Sequence, residues 1–144
     1  MTTQEITTAA PARRRAALAV AGATVAAAVP WAVARLAGTD LEVTTAGRTM
    51  DVGPAMVLGA ALAMSLAGWG LLTWLLRRRG DGVRVWTGVA LTVLLLSLSG
   101  PLLAEADAGV RVWLALMHVA VGAVLIPGLR AAVRDRTPSG PPSR

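Results

Sequence analysis

His118 is the single histidine of the chain, and its imidazole can both donate and accept a hydrogen bond. It lies near the middle of an apolar run over residues 110–129, in which Arg111 is the only charged residue. Counted from the midpoints of the neighbouring apolar runs, Ser65 and Ser97 lie within about 4 Å of its depth at 1.5 Å per residue. An imidazole near two hydroxyls is a candidate intramembrane polar site that could handle a proton or bind a ligand. We favour a neutral imidazole that joins helices by a hydrogen bond, because the apolar runs hold no carboxylate to drive proton coupling.

Asp107 and Arg111 form a second candidate pair at the beginning of the same run. They lie four residues apart, so a helix would place them on one face. Such a pair could attract an anion to the mouth of a path. We favour a local outer ion pair, worth about 0.2–0.5 kcal/mol, that anchors the end of the helix.

The composition excludes several kinds of chemistry. The 144 residues include no cysteine, which excludes a disulfide, a thiolate nucleophile and a cysteine metal site. One histidine cannot form a two-histidine metal site within one chain. The apolar runs also lack a pair of acids and a nucleophile with an adjacent base. We therefore expect no catalytic, cofactor-binding or metal-binding residue, and a protein that is not an enzyme.

The charge pattern argues against nucleic acid as a partner. The net charge is +6, and all 14 basic residues are arginine. They lie in short clusters beside the apolar runs rather than along a polar face. A lipid bilayer is sufficient to explain this arrangement.

Four apolar runs dominate the chain, and each is about 20 residues long, enough to cross the hydrocarbon core of a bilayer. They cover residues 16–36, 54–76, 85–104 and 110–129. The last two are joined by a very short link, so they must be antiparallel neighbours. The sequence predicts an all-α membrane fold, an antiparallel four-transmembrane-helix bundle over residues 16–130. Disordered cytoplasmic tails are expected over 1–15 and 131–144.

A small β-hairpin is predicted in the first extracytoplasmic loop, over residues 40–52. Apolar and polar residues alternate there, with the apolar ones at Leu41, Val43, Met50 and Val52. A turn at Ala46-Gly47 pairs Val43 with Met50 and Leu41 with Val52. Because a two-stranded hairpin is marginal alone, it should lie against the helix ends or a partner.

The first apolar run has two interpretations. Its arginines at 13–15, the apolar stretch 16–29 and the helix-breaking Pro30 match the parts of a secretory signal peptide. Ala32-Val33-Ala34 would then be the cleavage site. The alternative, which we favour, is an uncleaved first transmembrane helix.

The arginines also predict an orientation. With both termini in the cytoplasm, eleven arginines lie inside, and only Arg35, Arg48 and Arg111 lie outside. Cytoplasmic loops of membrane proteins carry an excess of such residues. The sequence therefore predicts a multi-pass protein of the cell membrane with both termini cytoplasmic.

Small residues share a face in each of two spans, and such faces let membrane helices approach closely. The members are Gly59, Ala63 and Gly70 in the second span, and Gly88, Thr92 and Ser99 in the third. We favour contacts within one chain over contacts between chains.

Several segments together resemble a known family of small four-span membrane proteins from GC-rich bacteria, a domain of unknown function. The resemblance covers roughly residues 16–130. It is carried by residues 65–72, 84–87, 94–102, 116–118 and 124–129. It implies an uncleaved first helix and a hairpin-like outer loop, and it implies no activity or catalytic residue.

The expected function is a non-enzymatic structural, accessory or interaction subunit that packs against another membrane protein or itself. The alternative is a small transporter or channel with His118, Ser97 and Ser65 along a path. The lack of a carboxylate in the spans argues against this alternative.

Overall fold

The computed structural model describes residues 3–45 and 47–134, which form four long helices and a two-stranded sheet. The elements are α1 (Thr3–Leu36), β1 (Glu42–Thr45), β2 (Arg48–Asp51), α2 (Pro54–Arg78), α3 (Gly82–Leu103) and α4 (Ala108–Arg134). All four helices are long and apolar enough to cross a membrane, and α1 does so from Pro11 onward. The predicted four-helix fold with an early hairpin is therefore confirmed.

The helices extend beyond the apolar runs. α1 begins at Thr3, so residues 3–15 are helical where the sequence predicts a disordered tail. Alanine and arginine dominate residues 9–15, and both are among the strongest helix formers. The low hydrophobicity of this segment shows where the helix leaves the lipid, not where the helix begins. α4 likewise continues to Arg134. The remainder of both predicted tails, residues 1–2 and 135–144, lies outside the described residues.

The four helices meet in one apolar cluster at the end of the bundle that carries the arginine runs. We call this the arginine end, and its arginines are residues 13–15, 77–79, 84, 130 and 134. The buried cluster consists of Ala16, Ala19, Val20, Ala23, Leu72, Leu75, Trp86, Leu125, Leu129 and Ala132. α1 and α3 contribute to it from the N-terminal parts of their membrane spans, and α2 and α4 from the C-terminal parts of theirs, so successive helices run in opposite directions.

The opposite end, which we call the hairpin end, buries a second cluster: Ala34, Leu41, Val52, Val110 and Met117. In the hairpin Val43 lies opposite Met50, as predicted. The Val52 N–H donates to the Leu41 carbonyl at 2.7 Å, so the pairing continues past the strands. Gly47 adopts a φ of 74° in the turn, a conformation that glycine adopts without steric cost.

The hairpin is held to the helices on both sides. Trp31 of α1 donates its indole N–H to the Val52 carbonyl at 2.8 Å. The Thr44 N–H of β1 donates to the carbonyl of Glu105, in the link between α3 and α4, at 3.2 Å. The hairpin therefore lies on the helix ends, as its marginal intrinsic stability requires.

Small residues bring α1 and α4 close together. A methyl group added at Gly128 would lie 2.7 Å from the Ala19 Cβ, and one at Gly22 would lie 3.4 Å from a Val124 methyl. Close backbone approach of this kind gives membrane helices their packing contacts.

The small-residue faces predicted in α2 and α3 are not used for packing within the described chain. Their members, which we call the open small-residue faces, are all exposed: Gly59, Ala63 and Gly70 of α2, and Gly88, Thr92 and Ser99 of α3. Among the described residues, nothing lies within 4 Å of a methyl group built on any of the three glycines. The interpretation as contacts within one chain is therefore wrong. The alanine face of α1 packs against α2 and α4 instead.

Candidate functional site

His118 lies in α4, half-buried, next to Met117 of the hairpin-end cluster. Its Nδ1 is 2.7 Å from the carbonyl oxygen of Leu114, one turn earlier in the same helix. Because a carbonyl oxygen only accepts, Nδ1 carries the proton in this contact. Nε2 is the ring nitrogen that remains for a group outside the helix.

Ser97 lies level with His118 on the neighbouring helix α3. A methyl group added at Gly122 would lie 2.6 Å from Leu94 Cδ2, so Leu94 and Gly122 face each other across α3 and α4. One turn from that contact toward the hairpin end, α3 carries Ser97 and α4 carries His118. The Ser97 hydroxyl, however, donates to the Leu94 carbonyl of its own helix at 2.7 Å.

Ser65 lies in α2 and is fully buried, at 0% exposure. Its Oγ has no hydrogen-bond partner within the described part of the chain. A methyl group added at Gly68 of α2 would lie 3.5 Å from Leu125 Cδ2 of α4, so Gly68 and Leu125 lie at similar depths in the bundle. Ser65 is therefore about one turn further from the hairpin end than His118.

The three predicted side chains thus lie on three helices at similar depths, and across residues 3–45 and 47–134 no hydrogen bond joins them. The tight Leu94–Gly122 contact fills the space between α3 and α4 one turn from His118. In the same ranges, no three side chains of histidine or acidic residues are grouped as a metal site would require. The arrangement suits helix packing, and the role of these residues stays a prediction.

The predicted outer pair, Asp107 and Arg111, is joined through the backbone. The Arg111 N–H donates to the Asp107 carbonyl at 3.0 Å, in the first turn of α4. The Arg111 Nε donates to the Ala106 carbonyl at 2.9 Å rather than to a carboxylate. Among the described side chains, no ion pair links Asp107 to Arg111.

Arg35 forms the ion pairs at the hairpin end that sequence analysis missed. Its Nη1 lies 3.4 Å from an Asp51 carboxylate oxygen and 3.7 Å from one of Asp40. The alternating apolar pattern sets the hairpin register and so brings Asp51 back to the end of α1. It is the one sequence signal that could have indicated these ion pairs.

Trp86 was also missed. It is 1% exposed, and its indole N–H donates to the Gly68 carbonyl of α2 at 2.8 Å. Nothing in the local sequence separates it from Trp74, which is half-exposed beneath the Arg78 guanidinium.

Comparison with known proteins identifies a family whose function is unknown. No curated protein and no solved structure matches the chain. A family model, described as a family of unknown function (DUF6069), matches residues 7–135. This match covers the hairpin and all four helices, with α1 from residue 7 onward, and it confirms the predicted resemblance to an uncharacterised family of small four-span proteins. The chain therefore belongs to the family of unknown function DUF6069.

Proposed function

We propose that this protein is a non-enzymatic structural or accessory subunit of the membrane that packs against another membrane protein or a second copy of itself. The observation that carries the proposal is the pair of open small-residue faces on α2 and α3. Nothing within the described chain lies within 4 Å of a methyl group at Gly59, Gly70 or Gly88. Without a hydrophobic driving force between helices in lipid, such faces favour helix–helix contact.

Native mass spectrometry of the full chain, extracted gently from its own membrane, tests this proposal. We expect the wild-type chain to carry a bound protein or a second copy, and Gly59→Leu or Gly88→Leu to lose it. Ala60→Leu is the matched control, because Ala60 is also exposed but lies about 100° around α2 from Gly59. A wild-type monomer, or equal loss in the control, would contradict the proposal. A mass beginning near Arg35 would show that the first helix is a cleaved signal peptide.

We further propose that both termini lie in the cytoplasm and that the protein is in the cell membrane. Support comes from the arginine end, which collects the runs at 13–15 and 77–79. The hairpin end instead carries the acidic residues Asp40, Glu42, Asp51, Glu105 and Asp107. A reporter that is active only outside the cytoplasm should be inactive when fused after Gly82. An active reporter would reverse the orientation.

A transporter or channel is the second candidate function, and Ser65 is the observation that favours it. A buried hydroxyl without a partner is costly in an apolar environment unless a water or solute satisfies it. Solute or proton flux into proteoliposomes that is lost in His118→Leu, with the helical content unchanged, would establish this alternative. Loss of assembly without any flux would support hydrogen bonding between helices.

A further inference from the structure

A cleft of about 220 Å³ opens at the arginine end between α1 and α2. It is lined by Arg13, Trp69, Thr73, Leu76 and Arg77. The four α2 residues follow one another at helical spacing on one face, and Arg13 of α1 forms the opposite wall. From Trp69 to Arg77 the cleft extends about 12 Å along the helix axis at 1.5 Å per residue. It is therefore apolar toward the bilayer interior and positively charged at its mouth.

The two guanidinium groups at the mouth are available for a ligand. Within the described residues, neither Arg13 nor Arg77 has a carboxylate partner within 4 Å. Trp69 adds a donor, since its indole N–H has no acceptor in the same part of the chain, unlike the indoles of Trp31 and Trp86. The Thr73 hydroxyl already donates to the Gly70 carbonyl at 2.8 Å. The cleft thus offers hydrogen-bond donors and positive charge but no carboxylate.

We propose that this cleft is a binding site for an anionic phospholipid. Arg13 and Arg77 bind the phosphate from two sides through charge-assisted hydrogen bonds, a role that suits the planar fork of arginine. The Trp69 indole and the Leu76 side chain contact the glycerol and the first carbons of the acyl chains. The volume is slightly below the 300–1,000 Å³ typical of ligand pockets, so it fits a head group whose chains continue into the bilayer.

The site differs from a general attraction of basic residues to acidic lipid. Arg14 and Arg79 lie at the same end of the bundle but do not line the cleft. Arg78 is also outside it, because its guanidinium lies over the Trp74 ring, 5.6 Å from the ring centre. A surface attraction would use all these charges equally. A site uses Arg13 and Arg77 in preference to the others.

Lipid titration of the delipidated full chain in detergent, followed by native mass spectrometry, tests the proposal. The probes are phosphatidylglycerol and phosphatidylcholine of the same chain length. We expect one phosphatidylglycerol per chain, bound at least about tenfold more tightly than phosphatidylcholine. The double variant Arg13→Gln/Arg77→Gln should lose about tenfold in affinity for phosphatidylglycerol. The control Arg14→Gln/Arg79→Gln removes the same number of charges at the same end of the bundle. Its affinity for phosphatidylglycerol should stay within about twofold of that of the wild type.

Three outcomes would overturn the site. The first is equal weakening in the cleft and control variants, and the second is equal affinity for the two lipids. The third is displacement of phosphatidylglycerol by glycerol phosphate at comparable concentration, since that would identify a soluble phosphate as the ligand. If the glutamine variant fails to fold, Arg13→Lys/Arg77→Lys replaces it. Lysine keeps the charge but loses the bidentate geometry, so binding should still weaken severalfold relative to Arg14→Lys/Arg79→Lys.

Discussion

The hairpin end and the arginine end of this bundle satisfy their polar groups in opposite ways. At the hairpin end, two arginines find partners within the chain: Arg35 lies 3.4 Å from Asp51, and Arg111 donates to the Ala106 carbonyl. At the arginine end, one sign of charge dominates, and Arg13 and Arg77 line a cleft without a carboxylate partner among the described residues. The chain itself supplies these partners at the hairpin end, whereas the cleft at the arginine end is open to an anion from outside.

The two ends also differ in how their segments are held together. The hairpin end is assembled from distant segments through backbone hydrogen bonds, such as Thr44 to Glu105. The arginine end is assembled from helices alone, with Trp86 fully enclosed and Gly128 against Ala19. We therefore expect changes at the arginine end to destabilise the whole bundle, and changes at the hairpin end to act locally.

Trp86→Ala should produce the largest loss. The side chain is 1% exposed and donates to the Gly68 carbonyl at 2.8 Å, so truncation leaves a cavity among all four helices and an acceptor without its donor. We expect the free energy of unfolding to fall by about 3–5 kcal/mol. Reversible unfolding in mixed micelles, followed by circular dichroism, measures it. Trp74→Ala is the control at the same end. Because Trp74 is half-exposed, it should cost less than about 1 kcal/mol.

Gly128→Ala should produce the next largest loss. The added methyl would lie 2.7 Å from the Ala19 Cβ, and neither atom can move without shifting its helix. We expect unfolding to become easier by about 1–3 kcal/mol. Gly122→Ala should cost less, because its methyl meets the flexible end of the Leu94 side chain. Gly88→Ala, in open space, should gain up to about 1 kcal/mol from helix propensity. Equal losses at all three positions would contradict the close approach of α1 and α4.

The contrast between the ends was only partly predictable. Hydrophobic runs predicted the four helices, since crossing a bilayer requires about 20 apolar residues whatever their neighbours are. Alternation predicted the pairing of Val43 with Met50, and the structure has that register. Only Val43 of the two packs against the hairpin-end cluster, whereas Met50 is half-exposed. Both features follow from the residue pattern along one segment and do not require knowledge of how the segments pack together.

Which face of each helix is internal was not predictable. Lipid is as apolar as the protein interior, so no amphipathic pattern marks the inside of a membrane bundle. For this reason the sequence predicts that Ser65 and Ser97 lie at the depth of His118, but it does not predict whether their side chains face it. Trp86 and Trp74 were likewise indistinguishable, and the small-residue faces of α2 and α3 were wrongly placed inside the chain.

Trp31→Phe tests whether the hairpin end responds locally. The substitution keeps an aromatic ring but removes the N–H that binds the Val52 carbonyl at 2.8 Å. A lost hydrogen bond of about 1 kcal/mol corresponds to about fivefold faster amide hydrogen exchange in residues 42–51. Exchange within α2 and α4 should not change. A matching acceleration throughout the helices would show that the hairpin end stabilises the whole bundle.

Ser65→Ala should have the smallest effect, and its sign is informative. Ser65 lies between the two clusters, fully buried, and its hydroxyl lacks a partner in the described chain. Removing an unsatisfied hydroxyl should leave the free energy of unfolding unchanged or raise it by up to about 1 kcal/mol. Ser97→Ala is the control, because that hydroxyl is already satisfied by the Leu94 carbonyl and its loss should be nearly neutral. If Ser65→Ala instead destabilises by more than Ser97→Ala, the hydroxyl has a partner in the membrane, such as a water molecule. Water at this depth would favour a path through the bundle over the role of a packing subunit.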